Sequence, residues 1–316
     1  MIGQDHSPGS LDLRDPRSVI DTLRRGAEAN RDASCRQGSI DVIRGPGRLI
    51  ATGDLHDNPL HLARLAELAE LPLNLAGVPD SEEAPGEGLC HSGIGCHLTL
   101  HELIHSDRLV DGMDFSYRVL TRIAALKTFA PERVHVLLAN HELSQIIGAG
   151  VIKNGVRCTE AFNQAIDYTF DEDAVVVHEA VADFIRSMPL AMRVESDRGD
   201  VLCAHSLPAP GMMQRFDPGI LSRELTEDDY IPREGSAHLM VWGRGYDAEQ
   251  IEDLVERWGV SLFVLGHEHA PSGINVVEPC AVVLNSDHER GVYLPIDLDD
   301  PPSIHEASLA VRPLRG

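Results

Sequence analysis

Five short segments place metal-binding residue types at the end of an apolar run: Asp54-Leu55-His56, His101-Glu102, Asn140-His141-Glu142, His205, and His267-Glu268-His269. Carboxylate, imidazole and amide oxygen suit hard or borderline ions such as Mn, Fe or Zn. No thiolate accompanies them, which argues against a structural zinc site. Two ions about 3.5–4 Å apart would orient and deprotonate a water and absorb charge on phosphoryl oxygens. Such a pair needs a bridging carboxylate, and an imidazolium beside it can protonate a leaving oxygen. Taken singly, each segment has a plainer reading. Asp54 and His56 suit a polar loop, His205 a satisfied core histidine, and Asn140 a helix N-cap with Glu142 in the first turn. Their succession along one chain points to a single site.

A site of this kind needs strands that end where the ligands begin, because a rigid sheet positions the groups while its loops leave room for substrate. Leu49 to Thr52 reads as a buried strand that stops at Gly53, where the chain can turn so that Asp54 and His56 converge. His97–Leu100, Val134–Leu138, Leu190–Val194, Val201–Ala204 and Ser261–Leu265 read the same way, and three more β-like runs follow at Ile274–Val277, Ala281–Leu284 and Val292–Ile296. Helical spacing appears over Ser18–Glu28, Asn58–Leu71 with Asn58 as N-cap, Met113–Phe129, and Asp247–Trp258. Segments 158–169 and 173–186 are also helical and are expected to form a small cap. Strands alternate with helices early and dominate late, which predicts an α/β sandwich with mixed sheets. The expected boundaries are a polar arm over 1–16, one domain over 17–300 with a surface insertion at 76–95, and a tail over 301–316.

The 316 residues carry 50 acidic and 27 basic side chains, a formal charge of -23. That field repels nucleic acid and anionic lipid, so neither is expected as a partner. An anionic substrate would need local positive charge, which bound ions supply. No apolar run approaches the roughly 18 residues of a membrane span. The N-terminus shows no signal-peptide pattern, and six scattered cysteines without a CxxC pair suggest free thiols in the cytoplasm. Cys90, His91, Cys96 and His97 lie close together, although not at a usual zinc-finger spacing.

In this order the motifs resemble the calcineurin-like metallophosphoesterases, and more closely their phosphoprotein phosphatase (serine/threonine phosphatase-like) branch. That pattern runs GD-x-H-G, GD-x-x-D-R-G, GNH-E, a lone His, and GH-x-H. The chain offers Gly53-Asp54-Leu55-His56-Asp57, His101-Glu102-Leu103-Ile104-His105-Ser106-Asp107, Ala139-Asn140-His141-Glu142, His205, and Gly266-His267-Glu268-His269. The likeness spans about residues 48 to 296. It implies two mixed β-sheets flanked by helices around a binuclear centre of divalent or trivalent ions, Mn and/or Fe with Zn also compatible. Asp54, His56 and His269 would hold the first ion; Asn140, His205 and His267 would hold the second; Glu102 would bridge them. His141 would be the general acid or leaving-group stabiliser. Arg244, in Trp242-Gly243-Arg244, would grip phosphate, and Arg108 would stand in for the arginine missing from the second motif.

The second motif departs most. Glu102 replaces the bridging Asp and is one methylene longer. His105-Ser106-Asp107 replaces Asp-Arg-Gly, whose Asp supports the catalytic His in the family; Asp107 or Asp57 would have to serve instead. The implied activity is hydrolysis of phosphomonoesters on a phosphoprotein or small molecule. Hydrolysis of nucleotides or dinucleoside polyphosphates is the alternative within the same chemistry. A metal-binding scaffold without turnover is the alternative outside it.

Overall fold

The computed structural model describes residues 11–77, 95–153 and 155–315, so the expected insertion at 76–95 lies almost wholly outside the described residues. Seven strands pair in the order Arg36–Gln37, Ile40–Arg44, Ala191–Glu195, Asp200–Ala204, Val260–Leu265, Ala281–Leu284 and Ile274–Val277. Five others pair in the order Arg312–Pro313, Val292–Asp297, Arg48–Thr52, Cys96–Leu100 and Val134–Val136. Both sheets are mixed. The Arg48, Cys96 and Val134 strands are parallel neighbours, as are the Asp200, Val260 and Ala281 strands.

These strands are buried on both faces, which explains their near-continuous apolar sequences. With a side-chain period of two, Leu49, Ala51, Val201, Cys203, Leu262, Val264, Val282, Leu284 and Leu294 meet in the core between the sheets. Their alternates, such as Ile50, Leu98, Leu202 and Phe263, face the helical layers. The parallel strands end at one edge of the sandwich, where every site segment leaves its strand. There Asp54 makes parallel bridges to His101, beyond one sheet, and to Asn285, beyond the other.

The helices follow the expected spacing with shifted ends. The first runs Pro16–Asp32, capped by the Asp15 side chain, and Asn58 caps Pro59–Leu68 through the His61 amide. Helices Cys158–Phe170 and Ala174–Arg186 are not a separate cap: Phe162, Val177 and Phe184 belong to the main core, and the second of these helices packs on Pro16–Asp32. The tail is not outside the domain. Helix Ile304–Ala310 is held by a Ser303/Glu306 capping box, and Arg312–Pro313 pairs with the Val292 strand at an edge that tolerates proline. Among the elements not foreseen are strand Ile40–Arg44, the hairpin formed by Ile152–Lys153 and Val156–Arg157, and helix Ser236–Val241.

The expectation of free thiols holds for Cys35, Cys158, Cys203 and Cys280 but not for Cys96, which is disulfide-bonded. Among the described residues no helix is long and apolar enough to cross a membrane. His97 Nδ1 lies 3.1 Å from His135 Nε2 and so joins a polar cluster; Cys90 and His91, its companions in the possible zinc group, lie outside the described residues.

In that cluster fully buried Asp41 accepts from Arg36 Nε and His135 Nδ1, each at 2.8 Å. Burial alone would raise the Asp41 carboxyl, but His135 and Arg36 hold it well below its ordinary 3.8. A carboxyl that titrates lower folded than unfolded adds stability that is complete above about pH 4 and lost as the pH falls below it. Asp41→Asn is therefore expected to cost about 3–5 kcal/mol near neutral pH, because it leaves the Arg36 charge buried without its partner. It should also flatten the acid limb of the stability curve. Urea unfolding of both proteins between pH 3 and 8, on the order of one pH unit apart, checks both effects.

Candidate metal centre

Close backbone approach makes the site. A Cβ on Gly53 would lie 1.8 Å from the Leu284 carbonyl oxygen, and one on Gly266 would lie 2.3 Å from Asp54 Oδ1. Glycine at both positions lets the ends of the two sheets meet. The loops after the Arg48 and Cys96 strands are then zipped together: His56 N donates to Glu102 O at 2.7 Å and Asp57 N to Leu103 O at 2.9 Å. His56, Asp57, Glu102, His105 and His267 all adopt left-handed φ, between 43° and 69°. Such conformations are costly for residues other than glycine and gather at functional sites. Asp57 occupies the pattern's glycine position at φ 53°, a conformation that Asp accepts more readily than most residues.

Glu102 is the hub. Its Oε1 lies 3.2 Å from His56 Nε2 and 3.5 Å from His141 Nε2, and its Oε2 lies 3.0 Å from His205 Nε2. His205 Nε2 is also 2.7 Å from Asn140 Oδ1 and 3.0 Å from His267 Nδ1. Asp54 Oδ1 stands 3.5 Å from both His205 Nδ1 and His101 Nδ1, and the Asp54 carboxylate accepts the His267 amide at 2.9 Å. Asn140 does not cap its own helix: Ala139 holds the cap position and makes no side-chain cap bond. Glu142 turns instead to the neighbouring loop, where its Oε1 accepts from Leu103 N at 2.7 Å and Ile104 N at 3.2 Å. It thereby braces the segment that carries Glu102.

These residues fit cations. His101 Nε2 donates to the Thr52 carbonyl at 2.9 Å, so its Nδ1 offers a lone pair toward His205 Nδ1, 3.1 Å away. With the His205 proton on Nδ1, four acceptor atoms converge around His205 Nε2 with no proton among them, an arrangement a cation satisfies. Buried His267 Nε2 has no hydrogen-bond partner. The carboxylates respond in opposite senses: against burial, His141, His205 and His56 hold Glu102 well below its ordinary value, while its neighbours are raised. Burial and Glu102 push Asp54 up to about 6 and Glu142 up to about 7. Against burial, Glu102 and Asp54 raise His205 above its ordinary value. Within this cluster Asp54, His56 and Glu102 form one ligand group, Glu102, His205 and His267 a second, and Asp54, His101 and His205 a third, each with donor atoms within 4.8 Å of one another.

The model of the calcineurin-like phosphoesterases matches residues 47–271, more than half of the chain. The chain belongs to the calcineurin-like phosphoesterase family. It is thus a phosphoester hydrolase by family, with the fold the motifs implied. Among solved structures, this phosphoesterase is similar to a protein serine/threonine phosphatase from Saccharomyces cerevisiae with similarity to human PP5. That match has 13% identity and a TM-score of 0.58, covering 90% of this chain and 83% of the other. It is also similar to the cold-active protein-tyrosine phosphatase of a Shewanella species, at 15% identity and a TM-score of 0.50, covering 85% and 79%. At these identities the likeness is one of fold. Among curated proteins, none matches the sequence.

The phosphoesterase brings Asp54, His56, Glu102, Asn140, His141, His205 and His267 together. His269 stands apart: it is exposed, and its ring centroid lies 6.3 Å from that of His288. Arg244 is at the site, with Nη1 donating to His267 O at 2.8 Å. Arg108 turns toward Asp57 at 3.9 Å, and its side chain is 54% exposed. Neither Asp107 nor Asp57 backs His141; His105 does, Nδ1 to Nδ1 at 2.8 Å. Gln145 Nε2 donates to Asn163 Oδ1 at 2.7 Å, so its Oε1 accepts from His105 Nε2 at 3.1 Å. His105 Nδ1 must then accept from His141 Nδ1, which leaves His141 Nε2 aimed at Glu102. Sequence reasoning placed His101 in the constellation without a role and missed His105 as a participant. The signal was present, because they occupy the first Gly and second Asp positions of the GD-x-x-D-R-G pattern.

Proposed function

We propose that this chain is a two-metal phosphomonoesterase of the kind that acts on serine/threonine phosphoproteins or small phosphoesters. The observation that carries the reading is the convergence of Asp54, His56, Glu102, Asn140, His205 and His267 on one buried, acceptor-rich centre. Asp54 and His56 would hold one ion, Asn140, His205 and His267 the other, and Glu102 both. His101 supports Asp54 and His205 from behind. His269 stays in the proposal on its place in the Gly-His-x-His pattern alone. When bound, two Mn or Fe ions supply an activated water and charge stabilisation at the phosphoryl group.

The chain's own residues do the rest. His141 Nε2 handles the proton of the leaving oxygen. Burial pushes this imidazole down to about 3, which keeps the ring neutral at rest. His105 fixes the ring's tautomer and orientation. Arg244 stands at the rim beside His267, where a guanidinium can hold a phosphoryl oxygen.

The full chain loaded with Mn is expected to hydrolyse a chromogenic aryl phosphate. Chelation should abolish turnover and added Mn should restore it. Protein with two bound ions that turns over neither aryl phosphates nor phosphopeptides nor nucleotides would sink the reading and leave a metal-binding scaffold.

A further inference from the structure

Arg244 stands between two glycines, in Trp242-Gly243-Arg244-Gly245-Tyr246. Glycine frees the backbone on both sides of it, Gly245 sits at φ 71°, and Arg244 itself is exposed. A guanidinium on such a turn spreads over many positions unless other residues hold the turn. A grip on a phosphoryl oxygen is directional, so its worth depends on that hold.

Two tethers hold the turn, and each comes from the residue that follows a candidate ligand. Ser206 follows His205. It is fully buried, and its hydroxyl donates to Gly243 O at 2.7 Å. With that proton committed, its oxygen accepts from the Tyr246 hydroxyl at 2.8 Å. The turn also lies flat on the segment beyond Ser206, because a Cβ on Gly243 would stand 1.7 Å from Leu207 O. Glu268 follows His267, and its Oε1 accepts the Gly245 amide at 2.5 Å. Between the tethers, Arg244 Nη1 donates to His267 O at 2.8 Å and Nη2 lies 3.4 Å from His267 Nδ1. The guanidinium is thus fastened beside the same two segments that carry His205 and His267.

We infer that Ser206 and Tyr246 are positioning residues for Arg244: through the Gly243 carbonyl they hold its guanidinium in register with the ion site of His205 and His267. Glu268 restrains the other end of the turn through the Gly245 amide. Neither Ser206 nor Tyr246 belongs to a motif, and both act on substrate only through Arg244. The inference rests on the role of Arg244 in the phosphomonoesterase reading but not on turnover for its measurement, because inorganic phosphate alone reports the grip.

The experiment titrates inorganic phosphate calorimetrically into the metal-loaded full chain and follows aryl-phosphate kinetics in parallel. Arg244→Gln is expected to weaken phosphate binding about tenfold to a hundredfold, the worth of a charge-assisted hydrogen bond. Ser206→Ala should weaken it about twofold to tenfold, the net worth of one hydrogen bond, with metal content unchanged. Tyr246→Phe should act in the same direction more mildly. The deciding readout is the double-mutant cycle: Ser206→Ala should cost no further affinity once Arg244→Gln has removed the guanidinium it positions. A residue that only stabilises the fold shows no such dependence on Arg244. If Ser206→Ala folds poorly, the same cycle with Tyr246→Phe decides. Wild-type affinity in the metallated tether variants, an equal loss with and without Arg244, loss of metal from those variants, or no phosphate binding by the metal-loaded wild type would each overturn the assignment. Coupled losses of phosphate affinity in a protein that hydrolyses no phosphoester would leave the assignment standing and reject the hydrolase reading.

Discussion

Replacing Glu102 by Gln is expected to remove at least one ion from the centre and to lower aryl-phosphate turnover by more than about a hundredfold. The lower bound follows from outer-shell changes, which alone cost about 10–100-fold in metal affinity or activity; a residue proposed to hold both ions should cost more. Glu102 meets His56 and His141 through one oxygen and His205 through the other. An amide of the same shape keeps the packing but offers one acceptor oxygen and no charge. Glu102→Asp tests the methylene. The left-handed backbone at Glu102, with φ 52°, and the amides of the neighbouring Leu103 and Ile104 bonded to Glu142 hold this loop in place. The shorter side chain is therefore expected to leave a gap and to retain only part of the metal. Metal analysis after dialysis, with turnover measured at saturating Mn, separates lost affinity from lost chemistry. A Glu102→Gln protein that keeps two ions and wild-type turnover would refute the bridge.

The second large effect is at His141. His141→Ala is expected to lower kcat by about 10²–10⁴, the usual worth of a positioned acid or base, while two ions remain bound. His141 Nδ1 is committed to His105 at 2.8 Å, so only Nε2 is free for chemistry, and the other ligands do not depend on it. The loss should grow with the basicity of the leaving group: small for a nitrophenyl ester, large for an alkyl phosphate. Loss of metal in His141→Ala would show that the imidazole is a ligand instead. His105→Ala is expected to reproduce a milder form of the same leaving-group dependence, because it removes the orientation of His141 and not the acid.

Much of the site was legible in the residues. Gly-Asp-x-His, Asn-His-Glu and Gly-His-x-His are local constellations. Their spacing is set by strands only a few residues away, so Asp54, His56, Asn140, His141 and His267 could be nominated before any contact was visible. The element that differs most from its pattern is His101 to Asp107, where Glu102 could be nominated but the contacts around it could not. The partner of His105 lies 36 residues on and that of His101 lies 104 residues on, and no periodicity carries that information. Arg108 makes the same point: sequence proximity to the motif favoured it, and in the fold its guanidinium lies 3.9 Å from the Asp57 carboxylate.

The sequence by itself determined the mixed α/β class and the strand-end placement of the candidate ligands, whose types point to hard or borderline ions. These follow from residue type, alternation and local turns. Only the tertiary structure decided that Asp54 joins both sheets through His101 and Asn285, and that His105 stands behind His141. It alone left His269 exposed and paired the tail with the smaller sheet. The physical reason is common to all of these. Each depends on how closely two backbones approach, at Gly53 and Gly266 above all, and on left-handed turns that re-aim a side chain by one residue. Such approaches are properties of packed sheets, and they are not written in any single segment.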